Sequence, residues 1–324
     1  MRRDWMALAA AALLVMAVDP AAGETYPVRP IRMLVGFAPG GPADVMARLI
    51  GQHLYATLGQ PIVIENRPGA GGTLAARLVA ESEPDGYTLL LGNTSTLVVS
   101  PLMYKNVGYD ALKAFAPIAW LGTTSDILVV NPKFPAKSVG ELIAYAKANP
   151  GKLNYSTPGI GTPPHLIAEM LAQRAGIEIV HVPYKSGGQS IQAVIAGEVD
   201  FTFENPAVAL PLVEAGTARA LAVTSAERDP QAPDVPTLIE SGLPDFVSES
   251  FTGVVGPAGI PASTVMRLNS AINESLRSPQ VAATLVKLAV DAKNEPPEKF
   301  GAFLAQELAK MAPVLQGAGL LGVE

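Results

Sequence analysis

Short runs of β-branched and other apolar residues alternate along most of the chain with segments whose apolar residues recur at helical spacing. The first cycle predicts a strand over 31–35, a loop over 37–44 and a helix that ends near Leu58, with Gly59 as its stop. Alternation of strands and helices is typical of βαβ units. The pattern therefore predicts an α/β fold built from parallel strands.

The later cycles repeat this pattern, with turn residues between them. Further strands are predicted over 62–64, 87–91, 127–130, 153–155, 177–182, 199–203 and 220–224. Helices are predicted after the starting residues Thr73, Ser138, Pro163, Gly188, Ser263, Ser278 and Pro297. The pattern changes near 123–125, and a length of 324 residues fits two domains with separate cores.

The first 23 residues form a separate unit and are set aside from the fold. Arg2 and Arg3 precede an apolar run over 5–18, Pro20 breaks any helix, and small residues follow at 21–23. The run is shorter than the ~20 apolar residues that span a bilayer. We therefore predict a signal peptide over 1–23 and an exported protein.

Composition excludes several function classes. The 49% hydrophobic and 16% charged residues exclude disorder, and the absence of cysteine excludes a disulfide scaffold or a cysteine–zinc site. A net charge of −6 argues against a nucleic-acid partner. Three histidines leave little room for a metal cluster, so we expect no metal and no cofactor.

Four loops rich in glycine and proline join the end of a predicted strand to the start of a predicted helix. They span 39–44, 68–73, 158–165 and 184–189. In open α/β sheets ligands bind at this edge, and the first N–H groups of a helix suit an anion. One such loop most simply turns the chain, but four of them favour a shared anion site in a cleft.

The sequence favours a carboxylate over a phosphate or a dinucleotide as this anion. No P-loop motif is present, and the glycine runs at 69–74 and 159–164 lack the third glycine of a dinucleotide fingerprint. Catalytic motifs such as Gly-x-Ser-x-Gly are also absent. His165 stands near a helix start, where it either donates to the anion or packs against the loop.

Several motifs, in order along nearly the whole mature chain, resemble one known family. They are YPVRPIR at 26–32, PGGPADVMAR at 39–48, ENRPGAGG at 65–72, PDGYTLL at 84–90, GIGTPPH at 159–165, HVPYKSGG at 181–188, ALAVT at 220–224 and PTL at 236–238. Together they are similar to the tripartite tricarboxylate transporter substrate-binding proteins, also called Bug receptors. The resemblance implies a two-lobed periplasmic-binding-protein fold of the type II-like, flytrap kind.

The resemblance also implies the division into lobes and the position of the ligand. Lobe 1 would comprise 24–124 and 226–324, and lobe 2 would comprise 125–225, with hinges near 123–125 and 224–226. A small carboxylate would be held largely by backbone N–H groups and bridging waters. The residues that correspond to the family's site are Phe37, Pro39, Gly40, Gly41, Ala43 and Asp44 in the first lobe, and Ser156, Thr157, Gly159, Gly161, Thr162 and His165 in the second.

Polar side chains would flank this ligand and tune selectivity. They are Asn93, Thr94 and Ser95 after the third strand, and Glu204 and Asn205 in the second lobe. Two departures from the family's usual pattern affect the site. Glu204 stands where the family often has aspartate, and Pro42 removes one N–H donor from the first loop. The identity of the ligand is therefore not implied.

Three functions stay open at this point. The family resemblance implies a monomeric periplasmic receptor of a Gram-negative bacterium that delivers a carboxylate to integral membrane subunits of a transporter. The same pocket would also suit a sensory protein that presents its ligand to a signalling receptor. A third possibility is an exported hydrolase built on His165.

Overall fold

The computed structural model describes residues 26–323, in which two mixed β-sheets are flanked by helices. The predicted signal peptide over 1–23 lies outside the described residues. The strands of the first sheet are β1 (Ile31–Val35), β2 (Ile62–Asn66), β3 (Thr88–Asn93), β4 (Phe115–Ser125), β10 (Glu249–Pro257) and β11 (Asp291–Ala292). Those of the second sheet are β5 (Ile127–Val130), β6 (Leu153–Thr157), β7 (Ile179–Pro183), β8 (Phe201–Glu204) and β9 (Arg219–Val223).

The sheets have the orders β11-β4-β10-β3-β1-β2 and β7-β6-β8-β5-β9. The helices are α1 (Pro42–Leu58), α2 (Thr73–Ala80), α3 (Ser100–Met103), α4 (Val139–Ala148), α5 (Pro163–Ala175), α6 (Gly187–Ala196), α7 (Pro206–Glu214), α8 (Ala262–Leu276), α9 (Pro279–Lys287) and α10 (Pro297–Gly317). A 3₁₀ turn (Ala70–Gly72) precedes α2, and a π turn (Ser95–Val99) precedes α3. Within 26–323, no helix combines the length and the apolar content needed to cross a bilayer.

Local signals explain how the first helix begins and ends. Pro42 occupies the first turn of α1, where a missing N–H costs nothing. Gly59 ends the helix in the left-handed conformation at φ 70° and donates its N–H to the carbonyl of Tyr55. Met46, Ile50 and Leu54 form the buried face of α1 in the core on that side of the first sheet. The predicted end at Leu58, with Gly59 as the stop, is confirmed, but the helix begins at Pro42, inside the segment that was predicted as a loop over 37–44.

The prediction of parallel strands is correct for only part of each sheet. Strands β1, β2 and β3 run parallel, but β10 pairs antiparallel with both β3 and β4. In the second sheet, β5 pairs antiparallel with β8 and β9. Strands β4 and β10 and helix α7 were not predicted, and Gly72 rather than Thr73 occupies the N-cap of α2. The α/β class itself is confirmed.

Two crossovers connect the sheets. Asp126 alone separates β4 in the first sheet from β5 in the second, and the return runs from Thr224 to Ser248. The Asp126 N–H donates to the Thr224 hydroxyl, and the Thr224 N–H donates to the Asp126 carbonyl. The Ser248 N–H donates to the Thr224 carbonyl. Within the return segment, Thr237 pairs with Val223 at the edge of the second sheet. The lobe boundaries at 124–125 and 225–226 stay a prediction.

Candidate functional site

Strand register places the candidate loops of both sheets at facing edges. Because β4 runs parallel to β1 and β3, Asn93 and Ser125 end at one edge of the first sheet. In the second sheet Ile127, which begins β5, pairs with Glu204, which ends β8. The crossover therefore joins the two edges at their base, and we call the space between them the cleft. A Cβ on Gly161 would lie 3.0 Å from the Met103 sulfur, which shows that loops from the two sides approach each other.

The first loop, between β1 and α1, is held by a buried carboxylate. Asp44 is 3% exposed and accepts hydrogen bonds from the Gly40 N–H, the Arg48 guanidinium and the Asn66 side-chain amide, each at 2.9 Å. The hydrogen bond from Arg48 and then that from Gly40 lower the pKa of Asp44 to about 2. The same Asn66 amide also donates to the Phe37 carbonyl. Asp44 therefore fixes the loop and stays ionised.

This arrangement limits which amides of the first loop are open to a ligand. The Gly40 N–H is engaged by Asp44, the Gly41 N–H points to the Ala38 carbonyl at 3.4 Å, and Pro42 has none. The N–H groups of Ala43 and Asp44 lie in the first turn of α1 and lack carbonyl partners within the helix. Pro39 is exposed at the tip of the loop. Ala43 and Asp44 are therefore the first-lobe residues with amides best placed for an anion.

The polar side chains after β3 mainly hold the protein's own backbone. The Asn93 side-chain oxygen accepts from the N–H and the hydroxyl of Thr96, at 3.0 and 3.1 Å. The Thr94 hydroxyl accepts from the Phe251 N–H at 2.8 Å and is buried. Ser95 is half-buried at the start of the π turn. Of the three predicted flanking residues, Ser95 alone has a side chain free of these structural bonds.

In the second sheet, Ser156 and Thr157 are fully buried and do not reach the cleft surface. The Ser156 hydroxyl bonds to Ser190 under helix α6, in a cluster that also contains Thr202. The Thr157 hydroxyl bonds to Gly159 and, at 2.6 Å, to the Nε2 atom of His181. Both side chains hold strand ends and loops together. Contact of these two residues with the ligand stays a prediction, and it would have to be made by their main-chain atoms.

His165 serves the loop before α5 rather than the surface of the cleft. It is 6% exposed, and its Nδ1 accepts from the Gly161 N–H at 3.3 Å. Its ring lies 4.2 Å from that of His181, and burial lowers the pKa of His165. The Gly159 N–H is likewise engaged, by Thr157. The amides of Gly159 and Gly161 thus already have partners within their loop, whereas they were predicted to hold the anion.

The remaining second-lobe residues lie at the starts of helices. The Thr162 hydroxyl donates to the Gly159 carbonyl at 2.6 Å and closes the loop before α5. The Asn205 side chain accepts from the Ala207 N–H and caps α7. The Glu204 carboxylate accepts from the Asn205 N–H at 2.9 Å. Its other oxygen lies 3.3 Å from the position of a Cβ on Gly187, in the first turn of α6.

The neighbouring His165 and His181 side chains predict that the folded protein becomes less stable in acid. Burial, and then the neighbouring His165, lower the pKa of His181 from 6.5 to about 4. Because the folded pKa lies below the unfolded value, stability is complete above pH 6.5 and falls as the pH drops towards 4. We expect the free energy of unfolding to decrease by about 2 kcal/mol between pH 7 and 5 from this group.

Urea unfolding of His181→Gln at several pH values tests this expectation. The variant should lose most of that decrease, whereas His53→Gln, in the middle of α1 and outside this cluster, should keep the wild-type profile. An unchanged pH profile in His181→Gln would show that the buried pair is not the source of the acid sensitivity.

Sequence reasoning missed three residues that shape the site. Arg48 and Asn66 complete the hydrogen bonds of Asp44, and their side chains also meet each other at 3.2 Å. The spacing of Asp44 and Arg48 at i and i+4 on a helix was a usable signal. Asn66 had no such local signal, because it reaches Asp44 from another strand. Asp126 was not singled out, although it directly precedes the predicted strand over 127–130.

Comparison with known proteins identifies the family. The family model described as tripartite tricarboxylate transporter family receptor matches residues 46–320. The chain belongs to this family. BugT of Bordetella pertussis is 36% identical to it over 301 residues, which cover 93% of this chain and 92% of BugT. The predicted relationship to the Bug receptors is confirmed.

Solved structures of relatives have the same fold. The R. palustris protein Rpa4515, solved with adipate, is 33% identical with a TM-score of 0.77, and the match covers 92% of this chain and all of that one. MatC of Rhodopseudomonas palustris, solved with bound malate, is 34% identical with a TM-score of 0.73 and coverages of 90% and 100%. The periplasmic binding protein BugD is 32% identical with a TM-score of 0.74 and coverages of 92% and 100%. The two-lobed periplasmic-binding-protein fold is thereby confirmed, and it is a fold of solute-binding receptors rather than of enzymes.

Proposed function

We propose that this protein is a periplasmic receptor that binds a small carboxylate in the cleft and delivers it to integral membrane subunits of a tripartite transporter. The first turn of α1 carries the proposal, because the amides of Ala43 and Asp44 lie at the facing edge without helical partners. The ion pair with Arg48 offsets the negative charge of Asp44, which would otherwise repel a bound carboxylate at the start of α1. Family membership and relatives solved with adipate and malate support a carboxylate as the ligand.

A thermal-shift screen of mono-, di- and tricarboxylates, followed by calorimetry, identifies a carboxylate probe. A ligand at a hundredfold excess over its Kd stabilises the folded state by about 2.7 kcal/mol. The proposal would be contradicted if no carboxylate shifted the melting temperature and calorimetry detected no binding. The geometry disfavours the hydrolase alternative, because His165 is 6% exposed, its Nδ1 accepts from the Gly161 N–H, and its Nε2 faces the Glu169 carboxylate at 4.0 Å.

Ala43→Pro tests the assignment of the carboxylate to α1. Proline is tolerated in the first turn of a helix, and Pro163 and Pro164 already begin α5 in tandem. Losing one charge-assisted hydrogen bond of about 1.5–3 kcal/mol should weaken binding of the selected carboxylate about 10- to 100-fold, as measured by calorimetry. The unfolding free energy should change little.

Ala262→Pro provides the matched control for this variant. It removes a first-turn amide from α8, which follows the far end of β10, away from the cleft. Wild-type affinity is expected in the control. Equal affinities of Ala43→Pro and the wild type would place the carboxylate elsewhere.

A genetic experiment distinguishes delivery of the carboxylate to a transporter from sensing of it. Deletion of the gene should abolish uptake of the selected carboxylate while leaving transcription unchanged, whereas a sensory protein would show the reverse.

Cleavage of the predicted signal peptide over 1–23 would give a periplasmic protein that begins at Glu24, which N-terminal sequencing checks. We further propose that the receptor is a monomer, which size-exclusion chromatography with light scattering tests.

A further inference from the structure

The carboxylate of Asp126 lies at the base of the cleft and has no partner among the described residues. Its backbone N–H donates to the Thr224 hydroxyl at 2.8 Å and its carbonyl accepts from the Thr224 N–H at 2.9 Å. The residue is 8% exposed, and no hydrogen bond or ion pair from residues 26–323 reaches the side-chain carboxylate. A buried, ionisable group with no donor is costly unless another molecule supplies one.

A second carboxylate lies at the same edge. Ile127 pairs with Glu204, so the residue before Ile127 and the Glu204 side chain belong to the same end of neighbouring strands. Glu204 is half-buried against Gly187 and the Asn205 N–H. Burial, and then the charge of Glu204, raise the pKa of Asp126 to about 7, so the two carboxylates act on each other through space.

The protein's own cations near the crossover are already engaged. Glu249, on the neighbouring β10, accepts from the Thr123 hydroxyl and is close enough to Lys293 and Lys310 for both to lower its pKa, against the larger effect of burial. Lys293 pairs with Asp291, and Lys310 pairs with Glu307. Neither lysine forms an ion pair with Asp126 or Glu204 among the described residues. Among the described residues, Asp126 therefore has no cationic partner, and Glu204 has only the Asn205 N–H and the first turn of α6 beside it.

The carboxyl groups of Asp126 and Glu204 change what the second sheet can accept from a ligand. The first turn of α6, predicted to attract an anion, has the protein's own Glu204 carboxylate beside it, 3.3 Å from the position of a Cβ on Gly187. A second carboxylate on the ligand would face two acidic side chains there, whereas an ammonium group would find two acceptors, and its positive charge would favour their ionised forms.

We propose that the ligand is an aminocarboxylate, whose carboxylate lies at the first turn of α1 and whose ammonium group lies between Asp126 and Glu204. This inference rests on the proposed function and specifies the chemistry of the far end of the ligand. It sets this receptor apart from the relatives solved with adipate and malate, both of which are dicarboxylates.

Calorimetry at pH 7.5 with matched pairs of compounds tests the inference. In each pair an ammonium group replaces one carboxylate on the same methylene chain: β-alanine and succinate, 4-aminobutyrate and glutarate, 5-aminovalerate and adipate. We expect the aminocarboxylate of the best-bound pair to bind at least tenfold more tightly than its dicarboxylate. Glu204→Gln and Asp126→Asn should each reduce this ratio at least fivefold.

Glu178→Gln is the matched control, because Glu178 is exposed just before β7, at the end of that strand remote from the cleft. Its ratio should equal that of the wild type. The affinity ratio of the wild type tests the inference without any variant. If one of the two variants does not fold, the other still tests whether the acidic pair causes that ratio.

The outcomes separate this inference from the proposed function. Dicarboxylates that bind as tightly as the aminocarboxylates or more tightly would overturn the inference and leave the carboxylate receptor intact. A tenfold ratio that both variants preserve would also overturn it, because the acidic pair would not be its cause. If none of the six compounds and no carboxylate in the wider screen bind, both proposals fail together.

Discussion

Asp44→Ala is expected to lower the free energy of unfolding by about 3 kcal/mol and to weaken binding of the selected carboxylate at least tenfold. The substitution leaves the Gly40 N–H and the Asn66 amide without their acceptor, and each unmet buried donor costs about 1–3 kcal/mol. Binding weakens because the loop beside α1 loses its anchor. Urea unfolding and calorimetry measure the two effects.

The pH dependence of this effect has a defined sign. The hydrogen bonds from Arg48 and Gly40 depress the pKa of Asp44 from 3.8 to about 2, so its stabilisation is complete above pH 4 and is lost as the pH falls towards 2. The difference in the free energy of unfolding between the wild type and Asp44→Ala should therefore decrease by about 1 kcal/mol from pH 5 to pH 3. Asp85→Ala, which breaks an exposed ion pair with Arg29 and an exposed hydrogen bond from the Tyr87 N–H, should cost no more than about 1 kcal/mol. Similar costs for the two variants would refute the anchoring role.

Gly36→Ala should destabilise the protein by about 3 kcal/mol and also weaken carboxylate binding. A Cβ on Gly36 would lie 2.5 Å from the Gly72 Cα and 3.0 Å from its carbonyl oxygen. Both are backbone atoms that cannot rotate away, so the β1–α1 and β2–α2 loops must separate, at a cost typical of severe overpacking. Thermal and urea unfolding, together with calorimetry, measure the result.

Gly140→Ala is the control for this substitution. Gly140 lies in the first turn of α4, and its added Cβ would meet nothing closer than the Ser138 hydroxyl at 3.9 Å. Alanine is the better helix former, so this variant should be neutral or slightly stabilised. Wild-type stability in Gly36→Ala would mean that the two loops move apart without cost.

Local signals in the sequence were sufficient for most helices and for the short parallel strands. Ser138 caps α4 through the Glu141 N–H, and Gly59 ends α1, because both effects act within one turn of a helix. The long strands β4 and β10 escaped prediction for the opposite reason. Pro117 and Gly122 interrupt the apolar pattern of β4, and its register with β10 shifts twice, so only long-range pairing reveals the strand.

The candidate site, like the fold, has one part that the sequence predicts and another that depends on long-range contacts. Loops at the ends of strands were predictable as a group, because strand order along the chain places them at one edge. Which amides stay open was not predictable, because the partners of Gly40 and Gly161 depend on side-chain geometry. The role of Asp126 depends on a pairing between β5 and β8 that joins residues far apart in sequence.

The two prolines that begin α5 have a kinetic consequence. Pro163 and Pro164 remove two of the amides with which that helix would attract an anion, and the negative Glu204 side chain lies beside the start of α6. The electrostatic attraction of an incoming carboxylate should therefore come mainly from the α1 side, and we expect the ligand to dock there first. Substitutions near α1 should therefore slow capture, while those on the opposite side should shorten residence time and leave the association rate unchanged.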